Sequence, residues 1–342
     1  MPPKSLPWTK SPLIVNAPMG GFAGPELAIA VTKAGGLGQI GAVTDMQALD
    51  HGLSKVAQEL DRIDGLLPIG VGFLPFVTDM DQAIPVLEKH RPAVVWLFAA
   101  SEFEHYATLA TRVRRALPTT QIWIQVGSVA AALQVAETAK PDVLCVQGSD
   151  AGGHGFQKGA GIISLLPEVV DALAAHGHDI DVVAAGGIAD GRGVAAALSL
   201  GARRGVVVGT RFLAAEETQV HPAYQKAVLA SQDGGQSTIR SKLFDNLRGP
   251  NIWPVAYDGR SLISESFDDH ERGTEMEEIR RKHQAALQQT NGGFGESGRK
   301  GYAAIWAGTA VGLVTKVQPA KKIVEGLQAE AKEVLLKASA RL

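Results

Sequence analysis

Short apolar runs alternate with stretches of helical period along the first two thirds of the chain. The run PLIVNAPM at 12–19 is strand-like, and GPELAIAVTKAGG at 24–36 has helical spacing and ends on a glycine stop. The alternation continues to an eighth strand-like run, RGVVVGTRFLAA at 204–215. Continuous apolar strands separated by amphipathic helices are typical of a parallel sheet with both faces covered.

Eight βα units in this length of chain predict an α/β fold, a closed (β/α)8 TIM barrel, with an open doubly wound sheet as the alternative. The alternation stops after residue 216, and the remaining residues are more polar and mainly helical in pattern. We therefore predict a barrel over 1–216. We predict that 217–342 forms a helical subdomain and lid that pack on the barrel mouth.

Composition narrows the function classes. The chain has 342 residues, 45% of them hydrophobic, and a formal net charge of -2. This balance gives no electrostatic signature for nucleic acid or an anionic membrane surface, and no apolar run approaches membrane-spanning length. A single cysteine, Cys145, excludes an intramolecular disulfide, and no histidine or carboxylate spacing suggests a metal site. We predict a cytoplasmic protein; the alternative is a peroxisomal one, because Ala340-Arg341-Leu342 resembles a peroxisomal address.

Glycines gather at the predicted ends of the last two strands. Gly186 and Gly187 follow the seventh strand, and Gly209 and Thr210 follow the eighth. In barrels these two loops bind phosphate through backbone N–H groups, and glycine lets the backbone approach an anion closely. Tight turns are the alternative interpretation, but two adjacent strand ends of this kind favour a phosphate site.

Residues at other strand ends suggest which phosphorylated molecule binds. Pro18 and Met19 end the first strand, where an apolar side chain can lie against a flat ring. Gln125 ends the fifth strand, and its amide both donates and accepts hydrogen bonds, as a pyrimidine edge requires. Each residue alone is equally well explained by ordinary packing. Together with the phosphate site they suggest flavin mononucleotide (FMN).

Four segments in order resemble the nitronate monooxygenase family over residues 12–217: NAPMGGFAGPELAIAVTKAGGLGQIG, QGSDAGGHG, AAGGIADGRGVAAALSLGA and GVVVGTRFLAAEE. The resemblance implies a TIM barrel, bound FMN and O2 as electron acceptor. It also implies that small-molecule alkyl nitronates or nitroalkanes are oxidised to carbonyl compounds and nitrite. A homodimer is left open.

The resemblance also implies site residues. His154 of the AGGHG segment becomes the proton-abstracting base. The implied cofactor contacts are Ala17, Pro18, Met19, Phe73, Gln125, Gly153, Gly186, Gly187, Gly209 and Thr210. In the tail, Gly308 and Thr309 are predicted to close over the cofactor, or else to begin a tightly packed helix. Lys300 and Tyr302 are weaker candidates for substrate contact from a lid, with a solvated loop as the alternative.

The chemistry explains why one histidine would stand among glycines. Oxidising a nitroalkane requires removal of a proton from the carbon next to the nitro group, and histidine titrates near neutrality. We expect the glycines of DAGGHG to form a flat loop beneath the flavin, with His154 projecting over the pocket and Asp150 capping the loop or orienting the imidazole. The alternative is a histidine that only hydrogen-bonds within its loop.

Two other functions stay open at this point. One is an FMN-dependent NAD(P)H:quinone or enoyl reductase, although no GxGxxG segment opens a βαβ unit. The other is a flavin-binding protein without turnover.

Overall fold

The computed structural model describes residues 5–41, 44–295 and 300–341. Its main sheet has eight parallel strands in the order β1-β9-β8-β6-β5-β4-β3-β2. These strands are β1 (Leu13–Asn16), β2 (Gln39–Gly41), β3 (Leu67–Phe73), β4 (Pro92–Leu97), β5 (Gln121–Val126), β6 (Val143–Gln147), β8 (Asp181–Ala185) and β9 (Gly205–Val208). The helices between them are α1 (Pro25–Lys33), α2 (Met46–Glu59), α3 (Met80–His90), α4 (Glu104–Ala116), α5 (Val129–Thr138), α6 (Ile162–Ala175) and α7 (Gly191–Ser199).

The sheet closes on itself where β1 meets β2. Parallel bridges join Val15 to Leu37 and Gly20 to Gly41 across this seam. The fully buried Asn16 reinforces it, because its amide accepts from the Gln39 N–H at 2.8 Å and donates to the Gln39 carbonyl at 2.9 Å. The predicted TIM barrel is confirmed, and the open-sheet alternative was wrong.

Substituting Asn16 by alanine should therefore destabilise the barrel. The change leaves the N–H and C=O of Gln39 buried without their partner, which predicts a loss of about 3 kcal/mol in the free energy of unfolding. The midpoint of urea unfolding measures this loss. Ser199→Ala is the control, because the Ser199 hydroxyl donates only to the carbonyl of Ala195 in its own helix. A loss below about 1 kcal/mol for Asn16→Ala would contradict the role of the seam.

The rest of the chain adds short elements near the barrel. They are a 3-10 helix (Thr210–Ala214), α8 (Pro222–Ala230), α9 (Gly234–Ser237), β10 (Thr238–Ser241), α10 (Leu243–Asn246), β11 (Tyr257–Leu262), α11 (Glu265–Glu271), α12 (Met276–Leu287), a second 3-10 helix (Thr309–Leu313) and α13 (Ala320–Ser339). Helix α13 packs against α1 and α7 and so joins the ring of barrel helices. The domain division at residue 216 stays a prediction, but this last helix belongs with the barrel wall and not with a lid at its mouth.

A second sheet carries the predicted catalytic histidine. Strand β7 (Gly153–Phe156) pairs antiparallel with β11, and β11 pairs with β10. His154 lies opposite Gly259 in this register. The expectation of a flat loop for the whole of DAGGHG was therefore wrong at its end. The physical reason is that β11, supplied by a distant part of the chain, satisfies the backbone hydrogen bonds of β7.

The described residues can be searched for membrane-spanning helices, metal sites and reactive cysteines. Within them, no helix is both long and apolar enough to cross a membrane. No cluster of three His, Cys, Asp or Glu side chains in the described ranges could bind a metal. Cys145 is fully buried on β6, and burial raises the pKa of its thiol well above the ordinary value. The peroxisomal tripeptide stays a prediction, since Leu342 lies outside the described residues.

Candidate active site

A cavity of about 390 Å³ opens at the carboxyl ends of the barrel strands. Nine of the predicted site residues line it: Ala17, Pro18, Met19, Phe73, Gln125, Gly153, His154, Gly209 and Thr210. They come from the ends of strands and from the segment after β6, so residues distant in sequence meet in one place. This is the location that the strand-end pattern predicts.

One amide side chain at the cavity wall has no protein partner among the described residues. The Gln125 side chain is 7% exposed and makes no hydrogen bond to any described residue. An amide that faces a cavity without a protein partner is available to a bound molecule, and it can both donate and accept hydrogen bonds. Around it the wall is mainly apolar and aromatic, with Trp96, Phe98 and Tyr224 among the lining residues.

The buried phenol groups near the cavity stay protonated. The Tyr224 hydroxyl donates to the Trp306 carbonyl at 3.1 Å, and burial raises the pKa of Tyr224 well above its ordinary value. Burial also raises the pKa of Tyr257 to about 12. Neither side chain therefore supplies an anion or a base at neutral pH. Besides Tyr224, His154 is the other ionisable side chain among the described residues that line the cavity.

Gly186 and Gly187 lie at the adjacent end of β8 but do not line this cavity. Their φ angles are 98° and 74°, a region that glycine adopts readily. The hydrogen bonds of the described residues include none donated by the backbone N–H groups of Gly186, Gly187 or Gly209. Free N–H groups at two neighbouring strand ends suit an anion.

Gly308 and Thr309 connect the tail to the barrel mouth. The Gly308 N–H donates to Thr210 Oγ1 at 2.9 Å. The Thr309 N–H donates to the Asp150 carbonyl at 3.0 Å, and its hydroxyl donates to Asp150 Oδ1 at 3.1 Å. Neither residue lines the cavity, so their contacts agree with a packed helix start. Asp150 holds this junction, and the hydrogen bond of the His154 ring goes to Asp245.

Lys300 and Tyr302 do not line the cavity either. Lys300 Nζ lies 2.7 Å from Asp268 Oδ2, and the Tyr302 hydroxyl donates to Asp269. Lys282, Tyr302 and Arg272 together hold the pKa of Asp269 well below its ordinary value. The two side chains thus pair with carboxylates of α11, and their contact with substrate stays a prediction. Residues 296–299 of the predicted lid lie outside the described residues.

His154 is held by three residues that the sequence analysis missed. Its Nε2 lies 2.6 Å from Asp245 Oδ1 on α10. Its ring stacks on Trp253 at a centroid distance of 3.6 Å with the planes 6° apart, and Trp306 lies at 4.8 Å. Asp245 is 91 residues away in sequence, and no local motif marks it or the two tryptophans. The arrangement holds the imidazole between a carboxylate and an aromatic wall.

The chain is similar to known proteins over most of its length. The nitronate monooxygenase family model matches residues 110–330. A nitronate monooxygenase from Metarhizium robertsii is 44% identical over 99% of this chain and 96% of its own length. Another from Neurospora crassa is 39% identical over 98% and 93%, respectively.

Solved structures support the fold. The structure of FabK from Thermotoga maritima has a TM-score of 0.76 and 26% identity, and the match covers 98% of this chain and 97% of that one. A nitroalkane oxidase from Streptomyces ansochromogenes has a TM-score of 0.75 at 24% identity, covering 97% and 99%. Both matches extend through the barrel and the tail.

Proposed function

The chain belongs to the nitronate monooxygenase family of oxidoreductases, and from this premise we propose that it binds FMN and oxidises alkyl nitronates with O2 to carbonyl compounds and nitrite. Neutral nitroalkanes are included as substrates, with His154 as the base that converts them to nitronates. The observation that carries the proposal is a histidine, paired with a buried carboxylate, at the wall of a mainly apolar cavity at the barrel mouth.

The residues present fit FMN. The unpaired N–H groups of Gly186, Gly187 and Gly209 suit its phosphate, and the Thr210 hydroxyl lies beside Gly209. The unpartnered Gln125 amide suits the polar edge of the isoalloxazine, while Pro18 and Met19 supply an apolar surface for its ring. When bound, the flavin supplies the electron transfer between nitronate and O2.

The chain's own residues then bind, orient and deprotonate the substrate. Trp253 and Trp306 flank His154 and present an apolar surface that favours an alkyl group and excludes water. A nitro or nitronate group is polar, so its alkyl part is the end that suits this wall. The imidazole accepts the proton from the carbon beside the nitro group, and a preformed nitronate requires only binding.

A purified sample should test the function directly. We expect the protein to be yellow or to become so on addition of FMN, and anaerobic mixing with ethylnitronate should bleach the flavin within the mixing time of the experiment. NADH in the same mixing experiment should bleach it far more slowly. Rapid bleaching by NADH without a response to nitronate would favour the reductase. A flavin that responds to neither would favour binding without turnover, and failure to take up FMN would contradict the proposal as a whole.

A further inference from the structure

The buried Asp245 carboxylate has one hydrogen-bond partner among the described residues, the imidazole of His154. Its side chain is 4% exposed, and its Oδ1 lies 2.6 Å from His154 Nε2. Its other oxygen, Oδ2, is buried and has no hydrogen-bond partner among the described residues. A buried carboxylate with a single partner is costly to maintain, so the contact with His154 is the feature that requires explanation.

We infer that Asp245 is a positioning residue that places the imidazole proton on Nε2 and leaves Nδ1 of His154 to accept the substrate's proton; this rests on the proposed function. A carboxylate accepts hydrogen bonds, so the hydrogen between the two groups sits on Nε2. In a neutral imidazole the other nitrogen then carries the lone pair. No described residue bonds to Nδ1.

The ring contacts support a fixed orientation. Trp253 lies parallel to the imidazole at 3.6 Å, and Trp306 lies at 4.8 Å at a tilt of 49°. With Nε2 tied to Asp245 and one ring face covered, exchanging the two nitrogens requires breaking the Asp245 bond and displacing Trp253. The imidazole is therefore held in one orientation before substrate arrives, which is what a general base needs.

The proton step balances on these atoms. The C–H bond next to the nitro group breaks, its electron pair forms the C=N bond of the nitronate as the N=O π pair moves onto oxygen, and the proton bonds to Nδ1. The product is a nitronate anion and an imidazolium whose Nε2–H still donates to Asp245. The Asp245 carboxylate offsets the new positive charge, and the step needs no oxidant.

Nitrogen NMR of the imidazole tests the assignment without relying on turnover. In ¹⁵N-histidine-labelled protein, the neutral form of His154, assigned by its loss in His154→Gln, should show hydrogen on Nε2 in the wild type. In Asp245→Asn this preference should weaken, because an amide can donate as well as accept. A wild-type signal with hydrogen on Nδ1 would overturn the inference even if every variant were unstable.

Kinetics supply the second measurement. Asp245→Asn should lower kcat for a neutral nitroalkane by about 100-fold or more while KM changes less than about threefold, and a preformed nitronate should lose much less. Asp245→Glu, which keeps a carboxylate, should recover part of the lost kcat. Equal losses on nitroalkane and nitronate, with an unchanged NMR signal, would assign Asp245 a structural role only. A wild type inactive on both substrates would contradict the proposed function, while the NMR result would still decide the tautomer.

The chain offers a matched control pair. His90 Nε2 lies 2.6 Å from Asp50 Oδ1, the same distance as in the site, but this pair joins α3 to α2 and does not line the cavity. Asp50→Asn should change the His90 signal and leave the turnover of both substrates unchanged. A fall in turnover similar to that of Asp245→Asn would show that loss of any such pair disturbs the enzyme, and would overturn the specific role of Asp245.

Discussion

Turnover of a neutral nitroalkane should fall about 10²- to 10⁴-fold in a His154→Gln variant, the range that removal of a general base typically produces. Glutamine retains much of the side-chain volume against Trp253, and its amide can still donate to Asp245, so the buried carboxylate keeps a partner. Glutamine cannot accept a proton at working pH. Initial rates of O2 consumption with nitroethane measure the loss.

Ethylnitronate distinguishes the loss of proton abstraction from damage to the rest of the site. It already lacks the proton in question, so His154→Gln should keep most of its activity on this substrate, within about tenfold of the wild type. His154→Ala should show the same selectivity with a larger loss on both substrates, because it also leaves Asp245 without its partner. Equal losses on both substrates in the glutamine variant would argue that His154 binds or packs and does not abstract the proton.

The barrel and much of its mouth could be predicted because their signals are local. Each strand is a short apolar run, and residues such as Met19, Gln125 and Gly209 lie at or just beyond the carboxyl end of a strand. The carboxyl ends of parallel strands meet at one end of a barrel, so locating the strands also located these residues. The arrangement of strands in a barrel therefore predicts that these residues lie close together, although they are far apart in the sequence.

The immediate partners of His154 could not be predicted for the opposite reason. Asp245, Trp253 and Trp306 come from the tail, where short helices and strands have no repeating pattern to fix their positions. Strand β7 exists because β11 pairs with it, and four residues beginning with glycine give no strand signal alone. Asp150, the nearby carboxylate, was the more obvious partner in sequence, yet its bonds go to Thr309.

The cofactor site gives the second large expected effect. Gly209→Leu should weaken FMN binding about tenfold or more while the protein still folds. A Cβ built at Gly209 would have as its nearest neighbours Ala17 Cβ at 3.6 Å and Met19 Sδ at 3.9 Å, which are ordinary contacts. The φ angle of Gly209 is -104°, which side chains tolerate. Both neighbours line the cavity, so a longer side chain must occupy space there or displace Met19.

Fluorescence titration with FMN measures the affinity, and a graded series makes the result specific. Gly209→Ala adds only a methyl group within contact distance and should weaken binding less than leucine does. Gly326→Leu is the control, because a Cβ at that exposed position on α13 meets nothing within 4 Å; it should leave the FMN affinity unchanged. If Gly209→Leu binds FMN as the wild type does, the end of β9 is not where the cofactor lies. If it loses FMN and its thermal stability without FMN is unchanged, the strand-end glycine is required for the ligand and not for the fold.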